Sequence, residues 1–455
     1  MICERQKARK KLTTNGHENL NSFGQKSLSI EIEISRSFEM DRKEKIILLL
    51  LAVLNFTHIL DFMILMPLGN YLMPYFNISS QQFSMLVAAY TFSAGTSGFL
   101  AAFFVDGFDR KKVLLFAYAG FLIGTFCCAI SPTYEILLLS RIVAGLFGGL
   151  IGAQVLSIVA DIVPYERRAA AMGMIMAAFS AASVFGVPFG LYIANLFNWH
   201  APFYFVVILG ILLVPFLFRF LPKMDAHLLV ENRQKISPTQ LVGDVFRNSS
   251  QLYALALTAF LMMGHFMIIP FINPFMEFNM GFSKTQTPLI YMVGGALTMV
   301  TSPLIGRLAD KLGKYNLFIF MAIAGIPFIA LITNLPAIPF YFVLCITGLW
   351  FIISTGRMIP AQAMVSNVVP PERRGSFMSF NSSVQQLFVG FASVLAGLIV
   401  VKMPDNKLQH YEVTGYLSIG IILFSIFIAT MLHRKLKEKE SETTISNNEE
   451  LAVVG

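Results

Sequence analysis

The sequence contains the same short polar phrase twice, as Val159–Met174 (VADIVPYERRAAAMGM) and Val365–Phe380 (VSNVVPPERRGSFMSF). Both copies are charged at the centre, and long apolar stretches flank each of them. Their Pro-x-Glu-Arg-Arg cores lie 206 residues apart. This repetition indicates that the chain contains two similar halves.

The apolar stretches around these phrases are long enough to cross a lipid bilayer. Hydrophobic residues make up 56% of the 455 residues and charged residues only 13%, which is too little charge for a soluble surface. Runs of about 20 residues match roughly 30 Å of hydrocarbon. The runs are continuously apolar rather than alternating, which excludes a transmembrane β-barrel. The sequence therefore predicts an all-α polytopic membrane protein.

Twelve spans are predicted, and the basic residues between them predict their orientation. The spans are residues 46–72, 80–105, 112–131, 134–161, 168–196, 199–221, 250–277, 283–309, 315–335, 337–366, 373–401 and 412–433. From Met40 onward, one set of loops and span edges holds 22 Lys and Arg residues, and the opposite set holds 3. The positive-inside rule then places both termini in the cytoplasm. The net charge of +8 thus reflects topology and contact with anionic lipid rather than nucleic-acid binding.

Two further pairs of positions support the duplication. Asp106 corresponds to Asp310 at an offset of 204 residues, and the segment from His58 to Pro67 corresponds to His265–Pro274 at an offset of 207. Six spans is an even number, so both halves keep the same orientation, as in a parallel repeat. The predicted halves are residues 41–221 and 250–435, joined by a cytoplasmic linker at 222–249. Such halves can rock about a site between them, which is alternating access.

The two ends of the chain differ from the spans. Residues 1–40 are polar and have no apolar core, which predicts a disordered tail or a non-native start with Met40 as the initiator. Residues 436–455 are also predicted to form a disordered tail.

Three short motifs resemble those of the major facilitator superfamily, over about residues 41–435. The family's loop signature is clear in the second half, at Gly306, Asp310, Gly313 and Lys314, and degenerate in the first, where Asp106 and Arg110 remain. Span 4 carries Arg-x-x-x-Gly at Arg141–Gly145, and span 5 carries the antiporter-associated Gly-x-Pro-x-Gly at Gly186, Pro188 and Gly190. The set looks closest to bacterial proton-linked drug antiporters and arabinose-efflux-like permeases.

The resemblance implies a secondary transporter of the bacterial inner membrane that acts as a monomer, with protons as the coupling ion and no other cofactor. The residues agree with a transporter that is not an enzyme. The sequence has no Gly-x-x-x-x-Gly-Lys-Ser/Thr loop for ATP, and no metal-ligand or catalytic-triad spacing.

Asp61 and Arg141 are the main candidates for proton coupling. A charge in the middle of a membrane costs about 3 kcal/mol or more unless it has a partner or a cavity. The two residues lie at similar depths in spans 1 and 4, so we expect them to interact in one cavity. Burial favours the protonated carboxyl and a nearby guanidinium favours the carboxylate, so conformation or substrate can tip the balance. The alternative is a static pair that only locks helix packing.

Four other residues are weaker candidates. His58 lies one turn before Asp61 and is a further proton-coupling candidate, whereas Ile268 occupies the place of Asp61 in the second half. The substrate-cavity candidates are His265, Arg357 and Glu277. Arg357 is expected either to contact an anionic substrate or to hold backbone carbonyls of a neighbouring helix.

The loop and span 5 motifs suggest conformational roles. We expect Asp106 and Asp310, near Arg110 and Lys314, to make contacts that favour the outward-facing state, with loop capping as the alternative. The span 5 motif and the glycine-rich stretch Ala144–Gln154 predict tight helix packing, which in span 5 would also seal one face against proton leak.

Three functions remain open from the sequence. They are proton-coupled efflux of a small organic molecule, uptake of a sugar or metabolite by a symporter or facilitator, and a membrane sensor or scaffold that has lost transport. The span 5 motif argues against the second and the Asp61–Arg141 pattern against the third. The abundance of Phe (43) and Met (23) favours an apolar substrate.

Overall fold

Within the residues that the structure describes, the protein forms a bundle of twelve helices that are long and apolar enough to span a membrane. The computed structural model describes residues 42–104, 107–163, 165–225, 243, 247–336, 338–369 and 374–454. The predicted number of spans is confirmed. The helices are Arg42–Leu65 (span 1), Ser80–Phe104 (2), Arg110–Ala129 (3), Tyr134–Ile162 (4), Tyr165–Ala181 and Val187–Leu196 (5), Ala201–Phe220 (6), Ser249–Phe266 and Ile269–Phe278 (7), Thr287–Leu312 (8), Lys314–Thr333 (9), Phe340–Ser366 (10), Arg374–Ile399 (11) and Tyr411–Val454 (12).

Spans 1 and 7 are broken, where the sequence predicted continuous helices. Span 1 ends at Leu65, turns at residues 66–68, and continues as the short helix Gly69–Tyr75. Span 7 breaks at residues 267–268 in the same way. Pro67 and Pro270 lie at these breaks, and proline removes a backbone donor and disfavours the helical conformation of the preceding residue.

Two other segments differ from prediction. The helix of span 12 continues to Val454, so residues 436–454 are helical rather than disordered. This segment is rich in Lys and Glu, which favour helix, and Lys435 Nζ contacts Glu438 Oε2 at 2.8 Å. Between spans 11 and 12, the strands Val401–Lys402 (β1) and Leu408–Gln409 (β2) form a small antiparallel hairpin that the sequence did not predict.

The two halves pack as the parallel repeat predicted. Span 2 packs along span 11, and span 5 packs against span 8. Aromatic pairs follow the first interface, with ring centroids 5.0 Å apart for Phe92 and Phe391 and 5.4 Å apart for Phe99 and Phe380. We call the side where span 1 begins the terminal side. The side that carries Gly69–Tyr75 and the hairpin is the distal side.

Span 5 contains a π-helical segment, Ala182–Gly186, directly before Pro188. The N–H of Val187 donates to the carbonyl of Ala182, five residues earlier. Proline at 188 has no N–H to continue an α-helical ladder, which accounts for the wider turn at this point. The local effect is thus a π-turn within a span that continues to Leu196.

Large apolar side chains cover the outside of the bundle. Phe116, Ile123, Phe320 and Ile323 are each more than half exposed. Such a surface is unfavourable in water and favourable in lipid. The protein is therefore a multi-pass membrane protein.

Glycines in span 4 bring its backbone against span 2. A Cβ atom at Gly149 would clash with the backbone carbonyl of Ala94, and one at Gly145 would clash with the carbonyl of Tyr90. Lipid provides no hydrophobic drive for helix association, so close backbone approach supplies much of the packing energy.

Span 4 also offers a matched pair of glycines for testing this packing. We expect Gly149→Ala to lower the free energy of unfolding by about 1–3 kcal/mol, because the interface is already filled. Gly152→Ala should be neutral or stabilise by up to about 1 kcal/mol, since nothing lies within 4 Å of its Cβ position and alanine favours helix. Denaturant unfolding of the purified variants in detergent measures both. Equal effects at the two positions would contradict the packing described here.

Candidate transport site

Asp61 and Arg141 form a fully buried ion pair between spans 1 and 4. Arg141 Nη1 donates to Asp61 Oδ2 at 2.8 Å, and both side chains are 0% exposed. Asp61 lies four residues before the break at the end of span 1, and Arg141 lies seven residues after the distal start of span 4. The pair is therefore in the distal half of the bundle. Asp61 Oδ1 and Arg141 Nε and Nη2 have no hydrogen-bond partner among the described residues.

Tyr90 of span 2 completes the environment of Arg141. The guanidinium carbon lies 4.3 Å from the centre of the Tyr90 ring, a cation–π contact that gains strength away from water. Gly145 is one turn after Arg141, and its lack of a side chain lets the two helices meet at the Tyr90 backbone. The Arg-x-x-x-Gly motif thus supplies the charge of Arg141 and, through Gly145, the close contact between spans 4 and 2 that places the Tyr90 ring beside that charge.

The antiporter-associated motif of span 5 packs directly behind Asp61. A Cβ atom at Gly186 would lie 2.8 Å from Leu60 Cδ1, and one at Gly190 would lie 2.6 Å from Ile64 Cδ1. The two glycines therefore accommodate side chains that flank Asp61 along span 1. On the other side of the π-segment, a Cβ atom at Gly295 of span 8 would lie 3.0 Å from the backbone nitrogen of Val184.

His58 lies close to the ion pair but makes no hydrogen bond to it. Its ring packs against Phe121, at 5.7 Å between centroids, and against Tyr90, at 6.3 Å. Neither ring nitrogen has a hydrogen-bond partner in the described part of the chain. A Cβ atom at Gly148 would lie 2.8 Å from His58 Nε2. The duplicated histidine thus occupies a tight aromatic pocket.

His265 and Arg357 lie in the second half, apart from the Asp61–Arg141 pair. The His265 ring stacks on Trp350 at 5.3 Å with 22° between the planes. Arg357 is 1% exposed, and its Nε, Nη1 and Nη2 atoms have no hydrogen-bond partner among the residues described. The structure therefore shows none of the carbonyl contacts considered as one role for Arg357.

Glu277 belongs to the distal side and not to the Arg357 region. Its Oε1 accepts a hydrogen bond from Thr287 Oγ1 at 2.9 Å, and its carboxyl lies beside Asn70. Asn70 and Glu277 are equivalent positions of the repeat, at an offset of 207 residues. Their proximity places them near the axis that relates the two halves.

Polar contacts join the two halves on the distal side. Asn273 Nδ2 donates to the carbonyl of Pro67 at 2.7 Å, and Asn195 Nδ2 donates to the carbonyl of Lys284 at 2.8 Å. Lys284 Nζ also lies 4.2 Å from the centre of the Tyr71 ring. Asn273, Pro67 and Tyr71 lie in or beside the broken ends of spans 1 and 7, Lys284 lies in the loop after span 7, and Asn195 lies at the distal end of span 5. The structure is thus closed on the distal side.

A lysine of the hairpin adds to this closure. Lys402 Nζ donates to the carbonyl of Met73 at 3.3 Å. Partial burial lowers the pKa of Lys402, because it removes water from the ammonium group.

The loop residues on the terminal side make fewer of the predicted contacts. Asp106 lies outside the described residues. Arg110 instead pairs with Asp161 at the end of span 4, with Nε 2.5 Å from Oδ2. Asp109 caps span 3, since its side chain accepts from the N–H of Lys111.

The second-half loop has an open arrangement. Asp310 is exposed, and no hydrogen bond or ion pair of its side chain is found within the part of the chain that the structure describes. Gly313 has φ +86°, a conformation that favours glycine, and Gly306 has nothing within 4 Å of its Cβ position. Lys314 lines a terminal-side cavity of about 440 Å³ together with Asn367 and His433.

Sequence reasoning missed several residues of these sites. Tyr90, Asp161 and Asn273 take part in buried or cross-helix contacts but belong to no motif used in the prediction. Asn273 had a usable signal, because it is a polar residue between Pro270 and Pro274 in an otherwise apolar span. Asp161 lies three residues before Pro164, within the repeated phrase Val159–Met174.

Comparisons with known proteins agree with this architecture. Residues 51–359 match the Major Facilitator Superfamily. The uncharacterized MFS-type transporter YceJ of Bacillus subtilis (strain 168) is 25% identical over 80% of this chain and 90% of its own length. A probable sugar efflux transporter of Helicobacter pylori (strain J99) is 23% identical over 80% of this chain and 89% of its own length. Among solved structures, a bacterial homologue of the human lysosomal transporter Spinster superposes with a TM-score of 0.69 at 14% identity, over 87% of this chain and 98% of that one.

Two parallel six-helix halves around buried charged residues define a membrane transporter rather than an enzyme. The chain belongs to the major facilitator superfamily, as its motifs predicted.

The distal closure can be tested at Asn273. Asn273→Ala removes the buried hydrogen bond to the Pro67 carbonyl, which is worth about 1 kcal/mol. We expect the distal-open population to rise about fivefold. Distances between spin labels at the exposed positions 81 and 285 report this change. Asn316→Ala is the control, since Asn316 bonds only the nearby Leu312 carbonyl. An unchanged distance distribution for Asn273→Ala would contradict the assigned role.

Proposed function

We propose that this protein exports a small organic molecule by alternating access, driven by the return of protons through Asp61. The observation that carries the proposal is the buried Asp61–Arg141 pair, in which one carboxylate oxygen is bonded and the other has no hydrogen-bond partner among the described residues. A buried carboxylate with one free oxygen is suited to gain and lose a proton as its environment changes.

The environment of the pair supports antiport. Gly186 and Gly190 pack onto span 1 beside Asp61, while the preceding π-segment touches span 8 of the other half. A change in the charge of Asp61 thus occurs in a helix that is in contact with the moving interface. The H. pylori relative is described as a sugar efflux transporter, which supports export over uptake.

The orientation of the transport cycle follows from the loop charges. With the terminal side in the cytoplasm of a bacterial inner membrane, the distal closure corresponds to an inward-facing state. Substrate would enter from the cytoplasm as Asp61 releases its proton, and the substrate-loaded, deprotonated protein would open the distal side. After substrate leaves, Asp61 would take up a proton from the distal side, and the protonated form would return to the inward-facing state.

Export is tested with inverted membrane vesicles that contain the overproduced protein. Energising the vesicles should drive accumulation of at least one compound from a panel of fluorescent dyes, sugars and small organic acids, and a protonophore should abolish the accumulation. Vesicles without the protein are the control. Accumulation only in right-side-out vesicles would identify uptake instead, and the absence of any proton-linked flux would support the sensor or scaffold alternative.

The role of Asp61 is tested by Asp61→Asn, which preserves size and polarity but cannot ionise. We expect the variant to lose transport driven by a pH gradient and to release no protons when the exported compound is added. Its stability should also fall by roughly 3–5 kcal/mol, because Arg141 is left buried without its carboxylate. Transport is therefore measured per amount of folded protein.

Two further variants separate chemistry from folding. Asp61→Glu returns an ionisable group and should partly restore proton release. Glu277→Gln removes the partly buried carboxyl group at the distal end of span 7 and should leave coupling intact. If Asp61→Asn releases protons as the parent does, the coupling site lies elsewhere.

A further inference from the structure

The second half contains a buried guanidinium that none of the described residues neutralises. Arg357 lies nine residues before the terminal end of span 10, about 14 Å inside it. It is the one buried Lys or Arg in the described residues from 247 onward. All three of its nitrogen atoms lack a hydrogen-bond partner within the described ranges of the chain. An isolated charge in this position is strongly unfavourable, which favours a partner that binds from outside the chain.

The acidic residues of spans 7 to 10 do not reach Arg357. Spans 7 to 10 contain only Glu277 and Asp310. Glu277 bonds Thr287 on the distal side, and Asp310 is exposed near the terminal end of span 8. The first half is different, because Asp61 neutralises Arg141 there.

Arg357 is part of a row of unpaired donors. Trp350, Ser354 and Arg357 are spaced at helical intervals of four and three residues, so they share one face of span 10. The Trp350 indole nitrogen and the Ser354 hydroxyl are buried and lack hydrogen-bond partners, like the guanidinium. The indole can only donate, the guanidinium can only donate, and the hydroxyl can also donate. A row of donors without acceptors is complementary to an anion.

The surroundings of this row are apolar and aromatic. His265 stacks on Trp350, and Phe351 packs edge-on to the same indole at 5.2 Å. Gly325 of span 9 faces the guanidinium, and even a Cβ atom there would lie 3.6 Å from Arg357 Nη1. These aromatic and apolar surroundings suit a ligand in which the negative group is attached to an apolar or aromatic portion.

We propose that Trp350, Ser354 and Arg357 bind the head group of an organic monoanion, with a carboxylate as the best match. A guanidinium binds a carboxylate through two parallel hydrogen bonds, and a single cation balances a single negative charge. The proposal rests on the proposed transport function, since it gives the substrate class of that transporter. The export cycle would then move the anion past Arg357 from the terminal side.

Trp350 provides a direct reporter of binding. The chain contains two tryptophans, so Trp199→Phe leaves Trp350 as the single indole. Purified Trp199→Phe protein in detergent is titrated with benzoate, 1-naphthoate and decanoate, and with the neutral amide of each. We expect a saturable change in Trp350 fluorescence with at least one carboxylate and none with its amide.

Substitution of Arg357 tests the site itself. Adding Arg357→Met, which preserves side-chain length without the charge, should weaken carboxylate binding at least tenfold. Lys407→Met removes one exposed positive charge from the distal hairpin and should leave binding unchanged. If no carboxylate binds, or if Arg357→Met binds as tightly as the parent, the proposal is wrong.

Thermal unfolding in the absence of ligand gives an independent result. Because Arg357 is an uncompensated buried charge, Arg357→Met should raise the melting temperature of the ligand-free protein. Added carboxylate should raise the melting temperature of the parent and leave that of Arg357→Met unchanged. A lower melting temperature for Arg357→Met with carboxylate binding retained would show a structural role and overturn the proposal.

These measurements distinguish the anion site from proton coupling. They are equilibrium measurements in detergent, without a pH gradient, on protein that keeps Asp61. If the protein binds carboxylate but shows no proton-linked efflux in vesicles, only the proposed proton coupling is refuted. Absence of carboxylate binding in a protein that exports a neutral compound would refute only the anion site.

Discussion

The cost of placing a charge in a low-dielectric membrane interior constrains this protein more than any other interaction. Asp61 and Arg141 can remain buried because each supplies the counter-charge of the other at 2.8 Å. This contact requires spans 1 and 4 to lie side by side at a defined depth. Gly145 then sets the approach of span 4 to span 2, which places the Tyr90 ring beside the guanidinium. Local packing and the ion pair thus specify the same arrangement.

Duplication has produced two halves with the same fold and different electrostatics. His58 and His265 are equivalent and both lie among aromatic rings. In contrast, Asp61 corresponds to Ile268, and Arg357 corresponds to Ile151. One half therefore contains a neutralised pair and the other an unneutralised cation. Under the proposed function, this division would let one half carry the coupling ion while the other supplies affinity for substrate.

The sequence was sufficient to predict the architecture because each signal for it is spread over many residues. Apolar runs, basic loops and the repeat offset each involve many residues, so the number of spans and the two halves were predicted correctly. The contact between Asp61 and Arg141 was also predictable, because two intramembrane charges of opposite sign at similar depth stabilise each other. The breaks in spans 1 and 7 were missed, although Pro67 and Pro270 were visible, since prolines are tolerated within transmembrane helices. Tyr90 and Asn273 were not predictable as contacts, because their partners depend on how helices rotate and cross. For Arg357, the sequence suggested two roles, contact with an anionic substrate or with backbone carbonyls. It could not show that the guanidinium has no hydrogen-bond acceptor among the described residues.

The π-turn at Ala182–Gly186 has a consequence for how span 5 can change shape. A π-turn holds one residue more than an α-turn, and one residue corresponds to roughly 100° of rotation about a helix axis. Conversion of this turn to α-helix would rotate the rest of span 5, from Val187 to Leu196, relative to its first part. The recesses at Gly186 and Gly190 would then turn away from Leu60 and Ile64. The extra residue in the π-turn thus keeps the second part of span 5 rotated so that it packs against span 1. If the turn became α-helical, span 5 would no longer hold span 1, which bears Asp61, in its present position.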